Sequence, residues 1–121
     1  MTTAVLFFCH GSRDPLWRVP MDQIVAEFRG MHATRLCELA FLEFMEPSFE
    51  EAVERLVAQH ATRIRVIPLF LARGAHLRRD LDDRVDAAQL KHPSVAFSVA
   101  PALGEVDSIR AAIASWVAQQ V

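Results

Sequence analysis

Three residues in this chain carry side chains able to hold a metal ion or take up a proton, and each follows an apolar run: His10, Glu43 and His76. Two imidazoles and a carboxylate suit Co²⁺, Fe²⁺, Ni²⁺ or Zn²⁺, and three protein ligands leave coordination positions open to a second molecule. A neutral imidazole also accepts a proton near pH 7. The three are more than 30 residues apart from one another, so only a fold that returns repeatedly to one edge gathers them. Taken singly, each has an ordinary role open to it: a histidine after a strand serves its loop, and Glu43 ends a strand or partners a helix terminus. His32, His60 and His92 stand near expected helix ends, where imidazole suits the C-terminal dipole, and they are assigned no chemistry.

The elements that must position them alternate. Ala4–Cys9 is a continuous apolar run, the pattern of a strand covered on both faces, and it stops at His10-Gly11-Ser12. Trp17, Met21, Ile24, Val25, Phe28 and Met31 recur at helical spacing, which predicts a helix from about Leu16 to Met31. A second strand covers Leu36–Leu42. Ser48 and Glu51 then form a capping box for a helix with Phe49, Val53, Leu56 and Val57 on its apolar face. A third strand covers Arg63–Phe70, with Pro68 marking its end or a break. His76 falls in the loop after it, and the next helix carries Leu77, Leu81, Val85 and Ala88. The fourth strand is Val95–Val99. A loop with Pro101 and Gly104 leads to a last amphipathic face of Ile109, Ala112, Ile113, Trp116 and Val117.

Strict strand-then-helix alternation with short connections implies an α/β fold with a parallel sheet and helices on both faces. The first and third strands are the most uniformly apolar. The second contains Glu38 and the fourth alternates, so those two are expected at the edges, in the order 2-1-3-4. That order puts a switch point between strands one and three, where open α/β sheets bind ligands beyond the carboxyl ends of their strands. His10, Glu43 and His76 all fall on that edge.

The bulk properties narrow the partners. A length of 121 residues suggests a single domain spanning 1–121, and 52% hydrophobic content supplies a core. A net charge of −2, with arginines and acids interspersed, argues against nucleic acid. No stretch reaches membrane-spanning length, and the N-terminus has no basic region or long apolar core of a signal peptide. Cys9 and Cys37 form no CxxC pattern, and two thiols in an ordinary domain point to the reducing cytoplasm, with a disulfide left open.

Four segments in order resemble a known family. They are Leu6-Phe7-Phe8-Cys9-His10-Gly11-Ser12-Arg13-Asp14-Pro15, Ala40-Phe41-Leu42-Glu43-Phe44-Met45-Glu46-Pro47-Ser48, Ile67-Pro68-Leu69-Phe70-Leu71 running on through Gly74-Ala75-His76-Leu77-Arg78-Arg79-Asp80, and Pro101-Ala102-Leu103-Gly104. Together they are similar to the short sirohydrochlorin cobaltochelatases, the CbiX-like branch of the class II tetrapyrrole chelatases. The resemblance implies a flavodoxin-like lobe, with His10 and His76 as the principal metal-handling residues and Glu43 as the acidic site residue. It further implies a divalent metal as substrate, Co²⁺ first with Fe²⁺ and Ni²⁺ as alternatives, no organic cofactor, and insertion into sirohydrochlorin without ATP. Because longer relatives carry two such lobes, it also implies a homodimer. Sirohydrochlorin is flat and bears eight carboxylates, so Arg13, Arg73, Arg78 and Arg79 in the ligand-bearing loops, together with Ser12, are expected to bind it. Leu16, Trp17, Phe44, Met45 and Leu77 offer apolar surface for the ring or belong to the core. Arg73 departs from the smaller, more glycine-rich run that relatives carry.

Two other readings bear on the same residues. Cys9-His10-Gly11-Ser12-Arg13 has the look of a phosphate loop, but a histidine phosphatase needs Arg where Cys9 stands, and a Cys-x5-Arg loop needs Arg where Pro15 stands. No GxxxxGK run is present. A metal or tetrapyrrole carrier on the same fold would keep His10 and His76 and release no product.

Overall fold

The N-terminal apolar run forms β1 (Thr3–Cys9), and it lies inside a four-stranded parallel sheet ordered β2–β1–β3–β4. The computed structural model describes residues 2–121. The other strands are β2 (Leu36–Phe41), β3 (Arg63–Pro68) and β4 (Ala96–Val99). They alternate with α1 (Val19–Met31), α2 (Phe49–Ala58), α3 (Ala75–Lys91) and α4 (Asp107–Ala118). The register sets Phe8 opposite both Ala40 and Pro68, so β2, β1 and β3 end at one edge. The sheet order is the one the apolar content of the strands predicts. No helix among the described residues is long and apolar enough to cross a membrane.

Alternation along β1 divides the core. Leu6 and Phe8 face Phe49, Val53 and Leu56 of α2 and Leu81 of α3, with Ile64 and Val66 from β3 beside them. Phe7 and Cys9 face the other way, onto Val25 and Phe28 of α1, with Leu39 and Phe41 from β2. The aromatic contacts are edge-on, Phe8 to Phe49 at 5.5 Å and Phe7 to Phe28 at 5.5 Å, the geometry that ring quadrupoles favour. The capping box of α2 forms as expected: the Glu51 N–H donates to Ser48 Oγ, and the Ser48 N–H donates to Glu51 Oε1, each at 3.1 Å. The hydrogen bonds from Ser48 hold the Glu51 carboxyl below its usual range.

Strand ends shift by one residue at β1, β2 and β4, and three features differ more from expectation. The helix predicted from Leu16 begins instead as a 3₁₀ turn, Pro15–Arg18, with α1 starting at Val19. Pro20 is the cause: it has no N–H to bond the Leu16 carbonyl, so an α-helix cannot run through that point. Strand β3 stops at Pro68, two residues early, for the same reason. The third difference is larger. The amphipathic face expected over Ile109, Ala112, Ile113, Trp116 and Val117 forms on α4, yet no residue of α4 is buried and Trp116 is 60% exposed. Periodicity records that a helix face is to be covered; it does not record by which chain.

Cys9 and Cys37 are both free and buried. Cys37 pairs with Val5 and Cys9 with Phe41 in the β1–β2 register, so the thiols stand about 13 Å apart along the sheet, beyond disulfide reach. Burial pushes the Cys9 thiol up from 9.0 to about 12, with Arg18 opposing and Asp22 adding to the rise. Cys9 is therefore expected to resist alkylation in the native protein at pH 8. Since the folded pKa is the higher one, its contribution to stability is intact below about pH 9 and lost as pH rises towards about 12. Rapid labelling at pH 8 by a thiol reagent, located by peptide mapping, would contradict this.

Candidate functional site

The hydrogen-bond ladder of the sheet continues past its strands and builds the site. The Leu42 N–H donates to the Cys9 carbonyl at 2.8 Å, and the Glu43 N–H donates to the His10 carbonyl at 3.2 Å. On the other side of β1, the Leu69 N–H donates to the Phe8 carbonyl at 2.8 Å. Gly11 permits this approach. It adopts φ +90, and a Cβ there would stand 2.0 Å from the Glu43 carbonyl oxygen. Only glycine accepts both conditions without strain. The result is a contact of 3.3 Å between His10 Nε2 and Glu43 Oε1, with the side chains 52% and 47% exposed. The His10 and Phe70 rings stand nearly perpendicular, centroids 6.4 Å apart.

His76 borders the same space. An open cleft of about 370 Å³ at the carboxyl edge is lined by His10, Glu43 and His76, with Leu42, Leu77 and Asp80. His76 belongs to the first turn of α3, one residue past its start, rather than to the loop. Gly74 takes the N-cap position with extended backbone, which lets the helix begin earlier than its apolar stripe suggests. Among the described residues no three His, Cys, Asp or Glu side chains are gathered as a closed ligand set. His10 and Glu43 touch, and His76 faces their cleft without completing a cage.

Asp80 is one of two charged cleft residues that sequence reasoning missed, Arg84 being the other. Asp80 lies one helical turn after His76, an i, i+4 spacing that puts both on one side of α3. Arg84 Nε donates to Asp80 Oδ2 at 2.8 Å, and its Nη1 donates to Glu50 at 3.0 Å. Burial alone would lower the Arg84 pKa, but Asp80 and Glu50 more than offset it, so the guanidinium is a fixed cation orienting Asp80.

The expected substrate-binding residues divide. Arg73 is 12% exposed and lies 3.8 Å from Glu105. Arg78 reaches the same carboxylate at 3.5 Å. Glu105 sits in the 3₁₀ turn Leu103–Glu105, whose backbone is tied to the β3–α3 connection: the Leu103 and Gly104 N–H groups donate to the Phe70 and Leu71 carbonyls at 2.9 and 2.8 Å. The contact with Arg73 is too long for a hydrogen bond and leaves its buried Nε without a partner, while Arg78 is 57% exposed and holds Glu105 through one nitrogen only. The Ser12 hydroxyl accepts the Asp14 N–H at 3.1 Å, and Asp14 in turn accepts the Leu16 N–H at 3.0 Å, so Ser12 shapes the loop that carries Arg13. Arg79 and Arg13 have no ion-pair partner among the described residues. His92, the C-cap residue of α3, contacts the Glu54 carboxylate at 2.9 Å.

Comparison with known proteins bears directly on this edge. The CbiX family model matches residues 4–120, nearly the whole chain. The chain belongs to the CbiX family. Among relatives, a sirohydrochlorin ferrochelatase from Bacillus subtilis is 31% identical over 104 residues, covering 86% of this chain and 40% of that protein. A sirohydrochlorin cobaltochelatase from Saccharolobus solfataricus is 40% identical over 77 residues, 64% of this chain and 59% of that one. This CbiX-family chain thus spans roughly two-fifths to three-fifths of the length of these relatives. Among solved structures, a putative cobalamin biosynthesis CbiX protein from Marinobacter aquaeolei VT8 superposes with a TM-score of 0.82 at 28% identity, covering 98% of this chain and 96% of that one. The sirohydrochlorin chelatase SirB from Bacillus subtilis subspecies spizizenii, solved in complex with cobalt, gives 0.78 at 30% identity, over 85% of this chain and 44% of SirB.

Proposed function

We propose that this CbiX-family chain is a sirohydrochlorin chelatase, exchanging a divalent metal for the two pyrrole protons of the macrocycle. The observation that carries the reading is the single open cleft bordered by His10, Glu43 and His76 at the carboxyl edge of the sheet. An incomplete ligand set suits the task. The ion is substrate, so it must be held by few groups and leave for four ring nitrogens. Each insertion also releases two protons, and an imidazole exposed to solvent accepts them and passes them to water. In this reading His10 and His76 deliver the metal. Glu43, 3.3 Å from His10, orients that ring or shares its ion.

Co²⁺ is the preferred ion, on the resemblance to the short cobaltochelatases, and Fe²⁺ is the strongest competitor. The relatives include both a ferrochelatase and cobaltochelatases. The test is an anaerobic absorbance time course of sirohydrochlorin with catalytic protein and Co²⁺, Fe²⁺ or Ni²⁺, each against its non-enzymatic blank. Multiple turnovers support insertion and rank the metals. A spectral change that stops at one equivalent identifies a carrier instead.

The same reading has the chain acting as a homodimer. The relatives in which this lobe accounts for about two-fifths of the length leave room for a second one. Here a second copy would supply it, and α4, with Ile113, Trp116 and Val117 exposed, is the apolar surface left to meet it. The sheet face of Arg63, Arg65, Ala96 and Ser98 is also uncovered. Light scattering is expected to give the mass of two chains, and Trp116→Asp to shift it to one. A wild-type monomer at micromolar concentration would remove the dimer.

A further inference from the structure

Glu43 and Met45 are both accounted for, the first against His10 and the second against the core beside α1. Phe44 between them is not. Its backbone adopts φ 67, the left-handed region, where a bulky residue is a genuine outlier and glycine or asparagine is at ease. Its ring is 55% exposed. The contact it makes across the fold is with Arg13, whose guanidinium carbon lies 4.7 Å from the ring centroid. An asparagine would satisfy the turn at lower cost, and an exposed phenyl ring adds nothing to the core. Arg13, for its part, holds no carboxylate among the described residues, in contrast to Arg73 and Arg78.

The pair matches a particular kind of ligand. A phenyl face takes a flat conjugated ring by stacking, while a guanidinium that is already oriented by an aromatic surface presents its remaining N–H donors in a fork suited to a carboxylate. Phe44 directly follows Glu43 and Arg13 is three residues past His10, so the pair stands on the two connections that carry those cleft residues, outside the lining of the cleft itself. Resting on the chelatase reading, we propose that Arg13 and Phe44 form one docking element for the tetrapyrrole: Phe44 receives the macrocycle plane and Arg13 a peripheral carboxylate. The pair anchors the macrocycle by its rim and adds affinity, while the handling of the metal stays with His10 and His76.

The test is a titration of metal-free sirohydrochlorin into the protein, followed by its absorbance, alongside steady-state metal insertion. Phe44→Asn keeps the left-handed turn and removes the ring. It is expected to weaken binding and raise KM for the tetrapyrrole by about tenfold, with kcat and the KM for metal little changed. Phe44→Trp restores the face and is expected to return KM to near its original value. Arg13→Gln should raise KM by a similar factor, and Arg13→Lys should rescue it only partly because a lysine does not stack in the same way. Unchanged affinity in Phe44→Asn, with active wild-type enzyme, overturns the docking element and leaves the chelatase reading standing. Binding of sirohydrochlorin without turnover in the wild type overturns the chelatase reading, while the affinity series still decides the role of the pair.

Discussion

His76→Ala is expected to leave the chain folded and to cut metal insertion by at least about a hundredfold, the lower range for losing a group that moves a proton or an ion in the rate-limiting step. The fold should tolerate the change. His76 is exposed in the first turn of α3 and its side chain makes no hydrogen bond among the described residues, and alanine is the better helix former there. Its melting temperature should stay within a few degrees of wild type, as for other surface substitutions. Circular dichroism and the anaerobic insertion assay on the same sample separate the two effects. Near-wild-type turnover in a folded His76→Ala protein would remove His76 from the site.

Gly11→Ala is expected to fail in both assays. The new Cβ would meet the Glu43 carbonyl oxygen at 2.0 Å, and the backbone at φ +90 is strained for any L side chain. Backbone, not a flexible side-chain end, is in the way, so the β2–α2 connection must move. A loss of about 2–4 kcal/mol follows from such a combination, which lowers the melting temperature by roughly 10 °C in a domain of this size. Where the variant folds, Glu43 no longer reaches His10, and insertion should fall more than stability alone explains. A melting curve superimposable on wild type would mean that Glu43 can relax without cost.

How far the chain could be read in advance follows from what kind of interaction shapes each part. The sheet order was legible because burial on two faces leaves a continuous apolar strand and an edge leaves an interrupted one, as Leu6-Phe7-Phe8 and Glu38 illustrate. Capping by Ser48 and Glu51 was legible because it is local. His10, Glu43 and His76 could be placed on one edge because each is counted from the end of a strand. The partners of Arg73 and Arg78 could not. Glu105 is 27 residues beyond Arg78, on a turn whose position depends on backbone hydrogen bonds to Phe70 and Leu71. Asp80 was masked by its neighbours, since in a run such as Arg78-Arg79-Asp80-Leu81-Asp82-Asp83 every charge has a local partner on paper. The exposed face of α4 was invisible for a different reason: its pattern is that of any packed helix, and only the folded lobe reveals that nothing within it lies opposite.

The tie between the two connections at this edge bears on how the protein can be rebuilt. The segment Phe70–Leu71 lends its carbonyls to Leu103 and Gly104, a Cβ on Gly104 would stand 2.1 Å from the Leu71 oxygen, and Arg73 lies against Glu105. A chimera that takes only the stretch around residues 69–78 from a ferrochelatase relative would thus import half of a matched pair. It would leave a guanidinium or a carboxylate without its counterpart and two backbone donors facing the wrong contour. Residues 69–78 and 101–105 are held to each other through the backbone, and an exchange of either segment between family members should carry both.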